Sequence, residues 1–197
     1  GGRKRGLFTQ NNGAVQISRD LSLGNFNGGR GEWNLVRGNT SVFRDAYIGY
    51  APTATAQLKV GTNGTFGING NLFVGQFDAE VPLQGEVINT GNMVGANGAS
   101  RIVVQGSKSR VTGAGTYNIA VRYESDQVFG NSNKSVAVEF AKNTLTRSNR
   151  FNANAGLTAR SGDAAARTAL TNSSLPGTSV ALSWGDADSS LSANYNS

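Results

Sequence analysis

Apolar and polar residues alternate in short bursts along the first hundred positions, and the bursts recur. Ile17-Ser18-Arg19-Asp20-Leu21-Ser22-Leu23-Gly24 is followed by Val42-Phe43-Arg44-Asp45-Ala46-Tyr47-Ile48-Gly49. Ile68-Asn69-Gly70-Asn71-Leu72-Phe73-Val74-Gly75 and Ile88-Asn89-Thr90-Gly91-Asn92-Met93-Val94-Gly95 complete the set, with closing glycines 25, 26 and 20 residues apart. Each copy opens on a β-branched residue, passes through polar or turn-forming positions, and ends on alternating residues before a glycine. The alternation at Leu21/Leu23, Ala46/Ile48 and Leu72/Val74 puts those side chains on one face of a strand. Asp20, Asp45, Asn71 and Gly91 suit a left-handed or Asx-type corner, and the closing glycine suits the next one.

Further apolar pairs lie between the copies: Trp33/Leu35, Leu58/Val60, Val81/Leu83 and Ile102/Val104, with Val15/Ile17 and Phe66/Ile68 leading in. Each unit of roughly 25 residues thus offers about three short strands and cannot bury its own apolar face. Stacking units at the strand spacing of about 4.8 Å buries that face and pairs the backbone, giving a stack on the order of 20 Å tall. The predicted fold is all-β: a short parallel β-solenoid followed by a small antiparallel β-sheet region. An antiparallel sandwich is the competing arrangement for short strands at this spacing. The solenoid reading expects Ile17, Val42, Ile68 and Ile88 in one buried column, and Leu23, Ile48, Val74 and Val94 in another.

The stretch from Tyr47-Ile48-Gly49-Tyr50-Ala51-Pro52 through Leu58-Lys59-Val60 to Asn71-Leu72-Phe73-Val74-Gly75 resembles the autotransporter-associated and PEP-CTERM-type β-strand repeats of secreted bacterial proteins. The resemblance covers about residues 14–105. It implies a surface or matrix protein without enzymatic activity. The chain departs from that family in being short and in lacking a C-terminal sorting helix or membrane barrel.

After about residue 105 the period fades. Strands are predicted at Tyr117–Tyr123, Ser135–Phe140, Thr178–Trp184 and Leu191–Tyr195, with a helical turn or two over Gly162–Leu170. The predicted organisation is an extended basic N-terminal arm over 1–13, solenoid repeats over 14–110, and a β-rich capping and assembly region over 111–197.

Composition narrows the function. Only 15% of residues are charged and 27 are glycine, which suits turns and stacked strands. There is no Cys, so no disulfide, thiol nucleophile or Cys-bound metal. There is no His, the commonest general base and metal ligand. No apolar run is long enough to span a membrane as a helix. No signal peptide is read at the start, so in a secreted protein Gly1 would be a processed end.

The net charge of +6 is uneven: residues 1–50 carry seven basic and three acidic side chains, and residues 51–100 one and three. Arg3, Lys4 and Arg5 form the tightest cluster, read either as a solvated tail or as an arm for nucleic acid or anionic glycan. Beside them Leu7 and Phe8 are the expected assembly contacts. They either add a strand to a neighbouring copy or fold back to cap their own first rung.

Candidate chemistry is sparse. The carboxylate pairs are Asp78/Glu80, Glu124/Asp126 and Asp20/Asp45, the last expected to stack as a structural ladder beside Arg19 and Arg44. Asp186-Ala187-Asp188 has the start of a calcium loop but lacks its glycine and its terminal acid. Trp33, Tyr47 and Phe73 form either a sugar-stacking stripe or inter-rung packing. The sequence therefore predicts no catalytic, cofactor or metal residues. It points to a secreted, self-assembling structural protein that partners copies of itself, with a virion protein or a glycan-binding or glycan-cleaving β-helix as alternatives.

Overall fold

A computed structural model describes residues 4–76, 79–105, 108–113 and 115–124, together with strands at 137–140, 179–183 and 190–194. Arg3, Asp78, Asp126, Asp186, Asp188 and the predicted helical turn at 162–170 lie outside the described residues. The described residues contain strands and no helix.

The chain winds as a parallel β-solenoid with three strands per coil. The first coil is β1 (Arg5–Gln10), β2 (Ala14–Ile17) and β3 (Leu21–Leu23). In the second, β4 (Arg30–Val42) runs through the first two faces and β5 (Ala46–Ile48) forms the third. The third coil repeats this with β6 (Thr55–Ile68) and β7 (Leu72–Val74). The fourth is β8 (Gly85–Asn89), β9 (Asn92–Gly95) and β10 (Arg101–Gln105), and the fifth β11 (Ser109–Thr112), β12 (Thr116–Asn118) and β13 (Ala120–Glu124). Equivalent strands of successive coils pair in parallel on all three faces. An antiparallel strand, β14 (Ala137–Phe140), then lies on β13. A separate antiparallel pair joins β15 (Ser179–Ser183) to β16 (Ser190–Asn194).

The register explains why the repeat is visible in the sequence. Arg5 lies beside Arg30, Ala14 beside Asn39 and Leu21 beside Ala46, a constant offset of 25. Between the second and third coils one extra residue enters after Leu35, so the offset becomes 26 from Arg37↔Asn63 onward. Side chains then fall into interior columns. One runs Phe8, Trp33, Leu58, Val87, Val111, and another Leu21, Ala46, Leu72, Ile102, Val121. From Trp33 onward the first column is buried, as is the whole of the second. Gly24, Gly49 and Gly75 close the third strand in a left-handed conformation, with φ of 61°, 72° and 74°. A Cβ on Gly49 would also collide with the Gln84 carbonyl, so both shape and space demand glycine there.

The fourth expected copy is misaligned. Ile88 lies between Lys59 and Thr112 and is only half-buried, and Val94 stands opposite Gly67. The residues that continue the Leu72–Val74 strand are Ile102–Val104. The offset is 29 at Ala56↔Gly85 after a longer excursion between β7 and β8, falls to 27 at Thr65↔Asn92, and rises to 30 at Leu72↔Ile102 after a longer connection between β9 and β10. Gly91 consequently sits at the corner between the first and second faces, and Gly95 is absent from the left-handed glycines.

Two expected boundaries also move. Coiling starts at Arg5 within the expected arm, and parallel pairing continues through Glu124, past residue 110. The segment predicted as one strand at Tyr117–Tyr123 runs through β12, the corner at Ile119 and β13 of the fifth coil, both strands pairing in parallel with the fourth.

Replacing Ile48 by Asp should cost roughly 3–5 kcal/mol, because an unpaired carboxylate would enter a dry column. Ile88→Thr should cost less than about 1 kcal/mol, since that side chain is part-exposed. Urea melts of both variants check the register; equal losses would contradict it.

Candidate functional site

The first coil gathers the expected assembly residues. Leu7 and Phe8 lie on β1, which pairs with β4 of the same chain, so this segment is the first rung and not a free arm. Phe8 points inward and its ring meets Trp33 at 4.2 Å between centroids. As the end of its column it stays 41% exposed, while outward-facing Leu7 is 60% exposed and Phe26, on the following loop, 80%. Together with Leu23 and Trp33 these side chains line a cleft of about 730 Å³. Trp33 is only 7% exposed, yet its indole N–H has no hydrogen-bond partner.

The basic cluster is partly neutralised. The Arg5 guanidinium lies 3.2 Å from Glu32, and that of Arg30 lies 2.7 Å from the same carboxylate. The Arg5 hydrogen bond, with help from Arg30, outweighs desolvation and holds the Glu32 carboxyl below its ordinary value of 4.5. Lys4 is exposed beside this group.

Glu32 begins an outward row that the sequence reading missed. Gln57, Glu86 and Arg110 follow it on successive coils. Gln57 donates its amide N–H to Glu86, and Arg110 pairs with Glu86 at 2.6 Å. A shallow groove of about 220 Å³ runs past Glu32, Gln57 and Glu86. The 25-residue offset links Glu32 to Gln57 in the sequence, but Glu86 requires the 29-residue step. Each carboxylate is already held by an arginine, Glu32 by Arg5 and Arg30 and Glu86 by Arg110.

Asp20 and Asp45 do stack, and their work is structural. The Asp45 N–H donates to the Asp20 carboxylate at 3.1 Å, and the Asn71 N–H to the Asp45 carboxylate at 2.7 Å. The Arg101 N–H then donates to the Asn71 side-chain oxygen at 3.1 Å. Each Asx side chain thus accepts from the corner of the next coil. In the other expected pairs, Glu80 donates its N–H to the Pro52 carbonyl, and the backbone of Glu124 pairs with β10 and β14.

The three aromatic candidates do not form one stripe. Trp33 is inside. Tyr47 and Phe73 stack on each other across coils at 5.4 Å with an 11° interplanar angle, and Tyr50 meets Tyr47 edge-on. The faces of these two rings that meet are unavailable to a sugar. Burial, followed by the charges of Asp45 and Asp20, raises the Tyr47 pKa, so its phenol is neutral at pH 7.

No family model, curated protein or solved structure matches this chain. The chemistry must therefore be judged from the residues alone. No group of three or more His, Cys, Asp or Glu among the described residues is arranged to hold a metal. The outward polar rows tie coil to coil, while the first coil is left with exposed apolar side chains and a bare strand.

Asp45→Ala should lower stability by about 1–2 kcal/mol through loss of the Asx acceptor, while Asp45→Asn, which keeps an oxygen there, should lose less. Thermal melts of the pair separate hydrogen bonding from charge. For Glu32 the folded pKa is depressed, so its contribution is present above pH 4.5 and disappears as pH falls through the lower folded value. Glu32→Gln should therefore lower the thermal midpoint at pH 7, with the difference from the parent shrinking as the pH is taken progressively below 4.5.

Proposed function

We propose that this chain is a non-enzymatic, extracellular structural protein that works by self-assembly, as a subunit of a surface layer, sheath or filament. The observation that carries the reading is the first coil. Among the described residues β1 pairs only with β4, and Leu7, Phe8 and Phe26 are exposed beside that open edge. Soluble proteins normally blunt such an edge with charge, proline or a covering element. Here Arg5 and Arg30 are turned onto Glu32, and Lys4 stands exposed at the start of the strand.

The rest of the molecule supports a mechanical role. Its interior columns are apolar over most of their length, its glycines fix the corners, and the carboxylates of Glu32, Glu86, Asp20 and Asp45 are bound to cations or main-chain N–H groups. The Tyr47–Val74 cadence, similar to repeats of secreted bacterial surface proteins, supports the extracellular part of the reading. A nucleic-acid-binding virion protein draws less support, because Arg5 is engaged by Glu32 and Lys4 is the remaining described cation of the cluster.

Sedimentation velocity and negative-stain microscopy over a wide concentration range test the reading. Concentration-dependent oligomers are expected. Monomers throughout, at the highest attainable concentration, would overturn it.

A further inference from the structure

The two ends of the solenoid differ. At the far end β14 runs antiparallel along β13, where a next coil would have to pair its third strand. A second copy therefore cannot continue the parallel stack on all three faces there. At the near end β1, β2 and β3 have no outer neighbour among the described residues.

The polarity of β1 shows what fits it. The Arg30 N–H donates to the Lys4 carbonyl. N–H and C=O of one residue point to the same side of a strand, and alternate residues point to opposite sides. Lys4, Gly6, Phe8 and Gln10 therefore bond toward β4, while Arg5, Leu7 and Thr9 present N–H and C=O at the free edge. The side chains alternate across the sheet as well: Gly6, Phe8 and Gln10 inward, Arg5, Leu7 and Thr9 outward.

We infer that two copies join through this end, β1 against β1 in antiparallel register about a two-fold axis at Leu7. The inference rests on the assembly reading above and names its partner surface. With Leu7 opposite Leu7 of the second copy, both residues exchange N–H and C=O, Arg5 faces Thr9, and Gly6 faces Phe8. Like charges do not meet, an apolar residue meets itself, and the inward Phe8 has a glycine across from it. The strand β11 at the other end lacks this fit, because it would set Arg110 against Leu7 and Val111 against Phe8. The interior column that ends at Phe8 meets Gly6 of the second copy across the joint, which leaves room for the ring beside the apolar cleft. Such a contact is isologous and closed, so growth beyond the pair uses another surface.

The absence of cysteine makes the test clean. Opposed residues in a hydrogen-bonded antiparallel pair lie about 5.5 Å apart between Cα atoms, within disulfide reach. Leu7→Cys should form a disulfide-linked dimer under mild oxidation, while Arg110→Cys alone should remain uncross-linked. Thr9→Pro removes a free-edge N–H without touching the β4 ladder. It should raise the dimer dissociation constant about tenfold, equivalent to roughly 1.4 kcal/mol, with the thermal midpoint unchanged. If Thr9→Pro unfolds the chain, the cysteine variants decide alone. Assemblies in which the Leu7→Cys thiol stays reduced, or a cross-link that forms only when the Leu7→Cys and Arg110→Cys chains are mixed, would overturn the two-fold joint and leave the assembly reading standing. A parent chain that never associates would overturn both.

Discussion

Parallel pairing between successive coils is the constraint from which the rest of this structure follows. Each strand hydrogen-bonds to the coil before and the coil after, so every side chain sits directly over its counterpart. Position in the column, more than local propensity, then decides what a residue must be. Apolar columns stay apolar because a polar group would have only its vertical neighbours to bond. Where polar groups do enter, the main chain is arranged to receive them. Gln84 is fully buried, donating to the Ala51 carbonyl at 2.8 Å and accepting the Gln76 N–H at 2.7 Å. Buried Gln10 donates to the carbonyls of Gly13 and Asn39 and accepts the Thr40 hydroxyl proton. Both side chains do at corners what a further strand would do elsewhere.

The same constraint sets how far the sequence could be read. Three copies of the octapeptide were legible because the offset from coil to coil stays at 25 or 26 residues. Ile88–Gly95 imitates the cadence, but Ile88 belongs to a first-face strand and Val94 to a second-face strand. The excursion between Val74 and Gly85 breaks the period, and nothing in local alternation reports the length of a loop. β1 was hidden for a different reason. Its glycine, its two apolar residues and its basic flank have the composition of an arm, and it becomes a strand because Phe8 can stack on Trp33. The row from Glu32 to Arg110 needed the true register before it could be seen at all.

Register also governs the outer surface. Residues that would be independent on an ordinary sheet become vertical neighbours about 4.8 Å apart, and like charges at that spacing repel. The structure resolves this by alternation. Gln57 separates Glu32 from Glu86, Arg110 follows Glu86 in the same row, Arg5 and Arg30 reach Glu32 from another row, and Asp20 and Asp45 each accept a main-chain N–H of the next coil. A carboxylate held in this way has its lone pairs engaged by a cation or a main-chain N–H. The stacking of Tyr47 on Phe73 follows the same logic, with ring faces turned along the stack and only edges outward.

What remains reactive in such a fold is its termination. A parallel stack propagates because each coil presents the next with the same strand direction and the same columns. An antiparallel strand ends that propagation. Once β14 has paired with β13, the exposed edge on that face runs in the reverse direction, and a further parallel coil finds neither the hydrogen-bond pattern nor the column spacing it requires. The first coil carries no comparable device among the described residues. Its edge keeps the direction of the stack, its column ends on a large aromatic residue, and Arg5 and Arg30 are folded onto Glu32 while Lys4 stays exposed. Strand direction alone thus makes the two ends of the described coils unlike, with an antiparallel strand on the third face at one end and a strand that keeps the direction of the stack at the other.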